Sequence, residues 1–264
     1  AEYGSVRVVA PDVERSSSGH AITASRPLSY RRTKIRDLAA FRVDGTPADC
    51  VALGSHLWGD VDLVLSGLNL GLNLGASIWH SGTLAAAKQA TLLGKRGIAL
   101  SAPPDVEPDY DPYKPWIRRV IEAALDDPSL RLLNVNFPRE PQGLLWTRVS
   151  VRQYDGRIQA TKDPLGRELF WFTVKPLSGA EEGTDRWALE HGWISMTPLR
   201  LDLTDEPKLQ DELQRNPLDL EAARRTSRGR SSPHAVRSVR DDETKGPLEE
   251  PTADDPPGPE SPQP

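Results

Sequence analysis

Sulfur is nearly missing from this chain: Cys50 is its one cysteine and Met196 its one methionine in 264 residues. A single thiol excludes an internal disulfide framework and fits a reducing compartment. Long apolar runs are missing too. None approaches the ~18–20 residues that span a bilayer, and no charged-then-apolar leader follows Ala1. A cytoplasmic protein with no membrane partner is expected. Nor is there an excess of positive charge: a net charge of −5 gives no overall pull toward nucleic acid or anionic lipid. G-x-G-x-x-G, Walker, H-E-x-x-H and G-x-S-x-G patterns are all absent. That argues against a dinucleotide dehydrogenase, a P-loop NTPase and a zincin.

Hydrophobic content is low at 37% and proline is abundant, with 24 residues. The deficit is uneven. Residues 1–204 read as a globular domain, whereas 205–264 read as a tail with a short helix possible over 205–220. Arg224–Arg240 is basic among Ser and Gly, and Asp241–Pro264 turns acidic and Pro-rich. Such a composition buries too little apolar surface to offset its ordering entropy, so a disordered tail is expected. The acidic stretch directly behind the arginines makes nucleic acid an unexpected partner.

Within the domain, apolar runs at Val6–Ala10, Val61–Leu65, Ile98–Leu100 and Leu132–Val135 have the texture of strands buried on both faces. Helical patterns alternate with them. Ala48–Leu57 follows Thr46-Pro47, Leu84–Leu93 follows Thr83 and stops at Gly94, and Tyr113–Leu125 has Pro115 near its start. Alternation of this kind predicts an α/β fold, Rossmann-like, with a mostly parallel sheet. Over 144–175 the segments Leu144–Gln153, Arg157–Thr161 and Glu168–Val174 predict hairpins protruding from that body, with Trp171 and Phe172 as anchors. Arms of this sort exchange between subunits, which suggests a dimer. Trp187–Met196 then leads back to a last strand.

Ligands in open α/β sheets bind beyond the carboxyl ends of the strands. Two loops lie there. Asp12–His20 follows the first strand, and a Gly- and Asn-rich stretch, Ser66–Gly75, follows the second. Amides, hydroxyls and bare backbone suit phosphate and a hard cation better than an apolar ligand. Ser81-Gly82-Thr83 stands just ahead of a helix, where free N–H groups and the dipole attract an anion; the plain alternative is that Thr83 only caps. An Asn oxygen is an acceptable Mg²⁺ or Mn²⁺ ligand, so Asn69 and Asn73 are candidates, the alternative being residues that tolerate left-handed turns. His20 and His80 either serve the site or are structural. Asp12 and Glu14 are the nearest carboxylates, and Cys50 has no local partner to activate it. A hydrolytic cation needs anionic ligands at the end of a central strand, and no such strand is legible.

The ordered series of these blocks resembles the SurE family of survival-protein nucleotidases. The resemblance runs from about Val6 to Thr204. It rests on Val8-Val9-Ala10-Pro11-Asp12 with Glu14-Arg15-Ser16, Gly19-His20-Ala21-Ile22-Thr23, Gly45-Thr46-Pro47-Ala48-Asp49, Ser66-Gly67-Leu68-Asn69-Leu70-Gly71 with Asn73, and His80-Ser81-Gly82-Thr83. Asn134-Val135-Asn136-Phe137-Pro138, Gly183-Thr184-Asp185 and Thr197-Pro198-Leu199 add to it. It implies a phosphatase of nucleoside 5′-monophosphates that uses one divalent cation, Mg²⁺ or Mn²⁺, per subunit. It also implies a Rossmann-like core, a protruding β-hairpin, and homodimers or tetramers.

In the family an Asp pair, a Ser and an Asn hold the metal. Ser16 and Asn69 match the last two, and Ser81, Gly82 and Thr83, with Asn73 beside them, match the phosphate-binding loop. The Asp pair, which belongs to an Asn-Asp-Asp-Gly segment after a first strand, has no counterpart, so the catalytic carboxylates are unknown. About 25–30 residues of strand, loop and helix are therefore expected to be absent, judged against the length of a βαβ unit. Their loss would expose inner sheet edges and leave a neutral pair that holds a cation poorly. The alternative is a non-catalytic nucleotide-binding or scaffolding subunit, and a weaker third reading is nucleic-acid association through the tail.

Overall fold

The computed structural model describes residues 2–35, 38–104, 110–151, 156–174 and 179–215. The described residues divide between two units, which separate after Leu199.

The first unit opens with β1 (Val8–Pro11) and continues through β2 (Tyr30–Ile35), β3 (Leu38–Val43) and α1 (Pro47–Trp58). β1 pairs parallel with β3, and β2 pairs antiparallel on the other side of β3. The β2–β3 pair was not expected from sequence. β2 reads Tyr-Arg-Arg-Thr-Lys-Ile, and its solvent-facing charges hide the strand signal. α1 starts at a reciprocal capping box: Asp49 N–H donates to Thr46 Oγ1 at 3.1 Å, and Thr46 N–H donates to Asp49 Oδ2 at 2.8 Å. Pro47 fills the first helical turn and Gly59 closes the last.

Next come β4 (Leu63–Leu70), a 3₁₀ turn (Gly75–Trp79), α2 (Gly82–Leu92), β5 (Arg96–Ala102), α3 (Lys114–Asp126) and β6 (Leu132–Asn136). β7 (Leu144–Trp146), β8 (Gly156–Lys162), β9 (Glu168–Val174), α4 (Asp185–Glu190) and β10 (Ile194–Pro198) complete the unit. Five strands form the main sheet in the order β4-β5-β6-β10-β7, parallel except where β10 meets β6. Its core gathers Ile98, Leu100, Leu133, Val135, Phe137, Ile194 and Met196 under Val120 and Ala124 of α3. The Ala-rich face of α2 comes so close to β5 that a Cβ on Gly97 would stand 2.1 Å from the Ala87 carbonyl oxygen. Glycine is required there.

Several expectations need correction. β4 does not stop at Leu65. It carries the Ser66–Leu70 stretch as strand, with a bulge between Ser66 and Asn69, because Asn69 and Leu70 resume pairing with Ser101 and Ala102. The cap of α2 is Ser81 rather than Thr83: its hydroxyl oxygen accepts the Leu84 N–H at 3.0 Å. β7 belongs to the main sheet, so the protruding hairpin is β8–β9 alone. Trp171 and Phe172, expected as its anchors, are 62% and 61% exposed. The parallel-rich sheet is also in two pieces. Among the described residues β1 pairs only with β3 and β4 only with β5, and no strand carries a ladder between them. α1 packs against both β1 and α2, and α2 packs against β4 and β5.

The second unit is described over Arg200–Arg215 and contains one helix, α5 (Glu206–Arg215), inside the span where a short helix is predicted. The disordered-tail expectation falls beyond it, outside the described residues.

Candidate phosphate site

Ser81, Gly82 and Thr83 form the first turn of α2, where backbone N–H groups have no intrahelical acceptor. Ser81 is buried and spends its hydroxyl oxygen on Leu84, which leaves its own O–H as a donor. The Asp12–His20 loop lies against this turn. Gly19 N–H donates to the His80 carbonyl at 3.0 Å, and the His20 Nε2 pairs with Gln89 of α2 at 2.9 Å. A Cβ on Gly82 would stand 3.0 Å from Ser18 Oγ, 3.2 Å from Pro47 and 3.4 Å from the Arg15 carbonyl. Ser18 Oγ is enclosed yet has no hydrogen-bond partner, and the same holds for Asp12 Oδ1 at the end of β1. Buried polar atoms left in this condition are uncommon and cost stability. Two of them lie on the loop that meets α2.

The candidate metal ligands are each engaged by a near neighbour in sequence. Ser16 Oγ donates to Glu14 Oε1 at 2.6 Å in an exposed position, and Asn69 Nδ2 donates to the Gly71 carbonyl at 2.6 Å. That bond leaves the acceptor oxygen of Asn69 for other partners. Among the described residues no group of three or more His, Cys, Asp and Glu comes together to hold a metal ion. Burial pushes the Cys50 thiol up to about 12, so it stays a thiol.

Asn73 is placed differently from Asn69. It is buried, donates its side-chain N–H to Ser101 Oγ at 2.7 Å, and donates its backbone N–H to Asn136 Oδ1 at 2.8 Å. Its carbonyl accepts from Asn134 at 2.9 Å and Asn136 at 3.1 Å. These bonds fasten the Asn/Gly stretch to the ends of β5 and β6. A second fastening lies two residues on. The Asp185 carboxylate, fully buried at the start of α4, accepts the N–H groups of Gly75, Ser150 and Arg186 at 2.8, 2.9 and 2.8 Å. Burial raises its pKa, and the three N–H donors oppose that rise. Sequence reasoning gave Asp185 no role. Its one signal was an acid directly behind a Thr cap, in Gly183-Thr184-Asp185.

A rigidly held loop thus delivers a helix N-terminus, hydroxyls and an Asn to the carboxyl end of a parallel sheet. That defines the class: an α/β protein with a parallel-rich sheet, its candidate anion site standing at the edge where such sheets bind ligands. The chain belongs to the SurE family, since the family model described as "Survival protein SurE" matches residues 1–156. It is 46% identical over 208 residues to 5′-nucleotidase SurE 1 of Thermus thermophilus, covering 76% of this chain and 83% of the relative. With 5′-nucleotidase SurE of Deinococcus radiodurans it shares 44% over 213 residues, covering 77% and 80%. The crystal structure of the SurE protein from Aquifex aeolicus superposes with a TM-score of 0.66 at 37% identity, over 78% of this chain and 87% of that one.

Proposed function

We propose that this protein is a 5′-nucleotidase that binds nucleoside 5′-monophosphates by their phosphate and releases nucleoside and inorganic phosphate. The observation that carries the reading is the Ser81-Gly82-Thr83 turn at the N-terminus of α2, with Ser18 close beside it. Backbone N–H groups and hydroxyls there donate to phosphate oxygens, and the helix dipole favours their charge. The cytoplasm is the proposed compartment: Cys50 is buried and unpaired, and among the described residues no helix is long and apolar enough to cross a membrane.

A divalent cation, Mg²⁺ or Mn²⁺, one per subunit, belongs to this reading, with Ser16 and Asn69 as ligands. Such an ion polarises phosphoryl oxygens and acidifies a bound water. The described residues do not fit it on their own, because hard divalent cations are held by carboxylates and this pair is neutral. That mismatch favours a second reading for residues 1–264 taken alone: a nucleotide-binding subunit without turnover.

Subunit assembly is proposed through β8–β9, where Ile158, Phe170, Trp171 and Phe172 are each more than 60% exposed. A patch of that kind marks an interface, and a homodimer or tetramer would cover it.

Phosphate release from AMP with stoichiometric Mn²⁺ tests the reading. AMP binding without appreciable release would favour the second reading, and metal-dependent release the first. Release that falls on Ser16→Ala and Asn69→Ala would show the neutral pair to suffice, and would sink the requirement for added carboxylates.

A further inference from the structure

Trp79 ends the 3₁₀ turn two residues before Ser81, and its side chain is 54% exposed. Two other tryptophans have aromatic cover: Trp58 stacks on Phe41 with ring centroids 5.4 Å apart, and Trp187 stacks on His191 at 4.2 Å. The Lys88 ammonium of α2 lies 5.8 Å from the centre of the Trp79 ring. Its pKa is lowered by burial, so the amine is drawn in against the protein rather than extended into water. The backbone around Trp79 is also fixed. Asp185 holds Gly75 at one end of the turn, Gly19 bonds to the His80 carbonyl at the other, and the Trp79 carbonyl oxygen lies 3.5 Å from where a Cβ on Gly19 would be. A half-exposed indole with a cation against its ring is a platform, and it is presented on the same short segment as the proposed phosphate site.

A nucleoside 5′-monophosphate separates its phosphate from a flat aromatic base by one sugar. With the phosphate on the first turn of α2, the nearest large apolar ring exposed along the chain is Trp79, next to the smaller imidazole of His80. We infer that Trp79 is the base-stacking residue of the nucleotide site and that this site favours purine over pyrimidine nucleotides. The inference rests on the phosphate assignment above and adds the base to it. Stacking tolerates any base because each has a π-face, and the larger purine face gains more.

Calorimetric titration of the 264-residue protein with inorganic phosphate, ribose 5-phosphate, CMP and AMP tests it, using wild type, Trp79→Ala and Trp79→Phe. Wild type is expected to bind AMP about tenfold or more tighter than ribose 5-phosphate, the scale of one base–aromatic stack, with CMP between them. Trp79→Ala should bring AMP down to the ribose 5-phosphate level while leaving ribose 5-phosphate and phosphate unchanged, and Trp79→Phe should keep most of the difference. An AMP to ribose 5-phosphate ratio that survives Trp79→Ala overturns the assignment, as does AMP binding no tighter than ribose 5-phosphate in wild type. Failure of phosphate and ribose 5-phosphate to bind at all removes the phosphate assignment and the base assignment together.

Discussion

The Asp185 carboxylate accepts the Gly75 N–H at 2.8 Å across 110 positions of sequence. Gly75 begins the turn that leads to Ser81, so a residue outside the sheet's ligand edge fixes the entry to the proposed phosphate site. Glycine is needed at that point. Gly75 has φ +54°, and a Cβ on it would lie 3.2 Å from the Ser150 carbonyl oxygen.

Asp185→Asn should destabilise the fold by about 1–3 kcal/mol, because an NH₂ group then faces an N–H donor in a buried site. The pH dependence has a definite sign. Since the folded pKa is raised, chiefly by burial, the contribution of Asp185 is fully present below the ordinary carboxylate range. It declines as pH rises through that range to the raised value. Denaturant melts from acid to neutral pH should show this decline in wild type and its absence in Asp185→Asn.

Asp49 should behave in the opposite sense. Burial works to raise its pKa, but hydrogen bonds from Thr23 and Thr46 outweigh burial and hold it below the usual value. Its stabilisation is present above the ordinary carboxylate range and is lost as pH falls through the lowered value. Asp49→Ala should cost about 1–2 kcal/mol at neutral pH, the scale of a lost helix cap, and should narrow its deficit in acid. A deficit that does not change between neutral and acid pH would contradict the assignment.

Asn73 and Asn69 should separate by phenotype. Asn73→Ala removes the link to Ser101 and is expected to lower stability by about 1–3 kcal/mol. Asn69→Ala, at a half-buried position with one local bond, should change the melting temperature little. Any Mn²⁺ affinity, read by electron paramagnetic resonance, should fall in Asn69→Ala and hold in Asn73→Ala at temperatures where both are folded.

How much of this was legible in the sequence depends on what each residue's neighbours contribute. The Ala-rich helix, expected over Leu84–Leu93, and the buried strand, expected over Ile98–Leu100, show in their residue pattern, because short local periodicity decides them. The place of Ser81-Gly82-Thr83 at the start of that helix was legible for the same reason. Asn73 was not. Nothing local distinguishes it from Asn69, and its buried role comes from Asn134, Asn136 and Ser101, which reach it only in the fold. β4 ran five residues beyond its expected end because pairing to Ser101 and Ala102 overrides the turn-like Gly and Asn content.

Charge on the exposed hairpin should report assembly. Phe170→Lys together with Phe172→Lys is expected to leave secondary structure intact and to shift sedimentation toward the monomer. An unchanged sedimentation coefficient for an oligomeric wild type would place the interface elsewhere.

The most direct measurement is AMP binding by wild type and Gly82→Val, with circular dichroism confirming that both are folded. A valine at Gly82 would crowd Ser18 Oγ and Pro47 and occlude the first turn of α2. Saturable AMP binding that inorganic phosphate competes away, and that Gly82→Val loses, is the predicted result. Equal AMP affinity in the two folded proteins would show that the nucleotide phosphate binds somewhere other than Ser81-Gly82-Thr83.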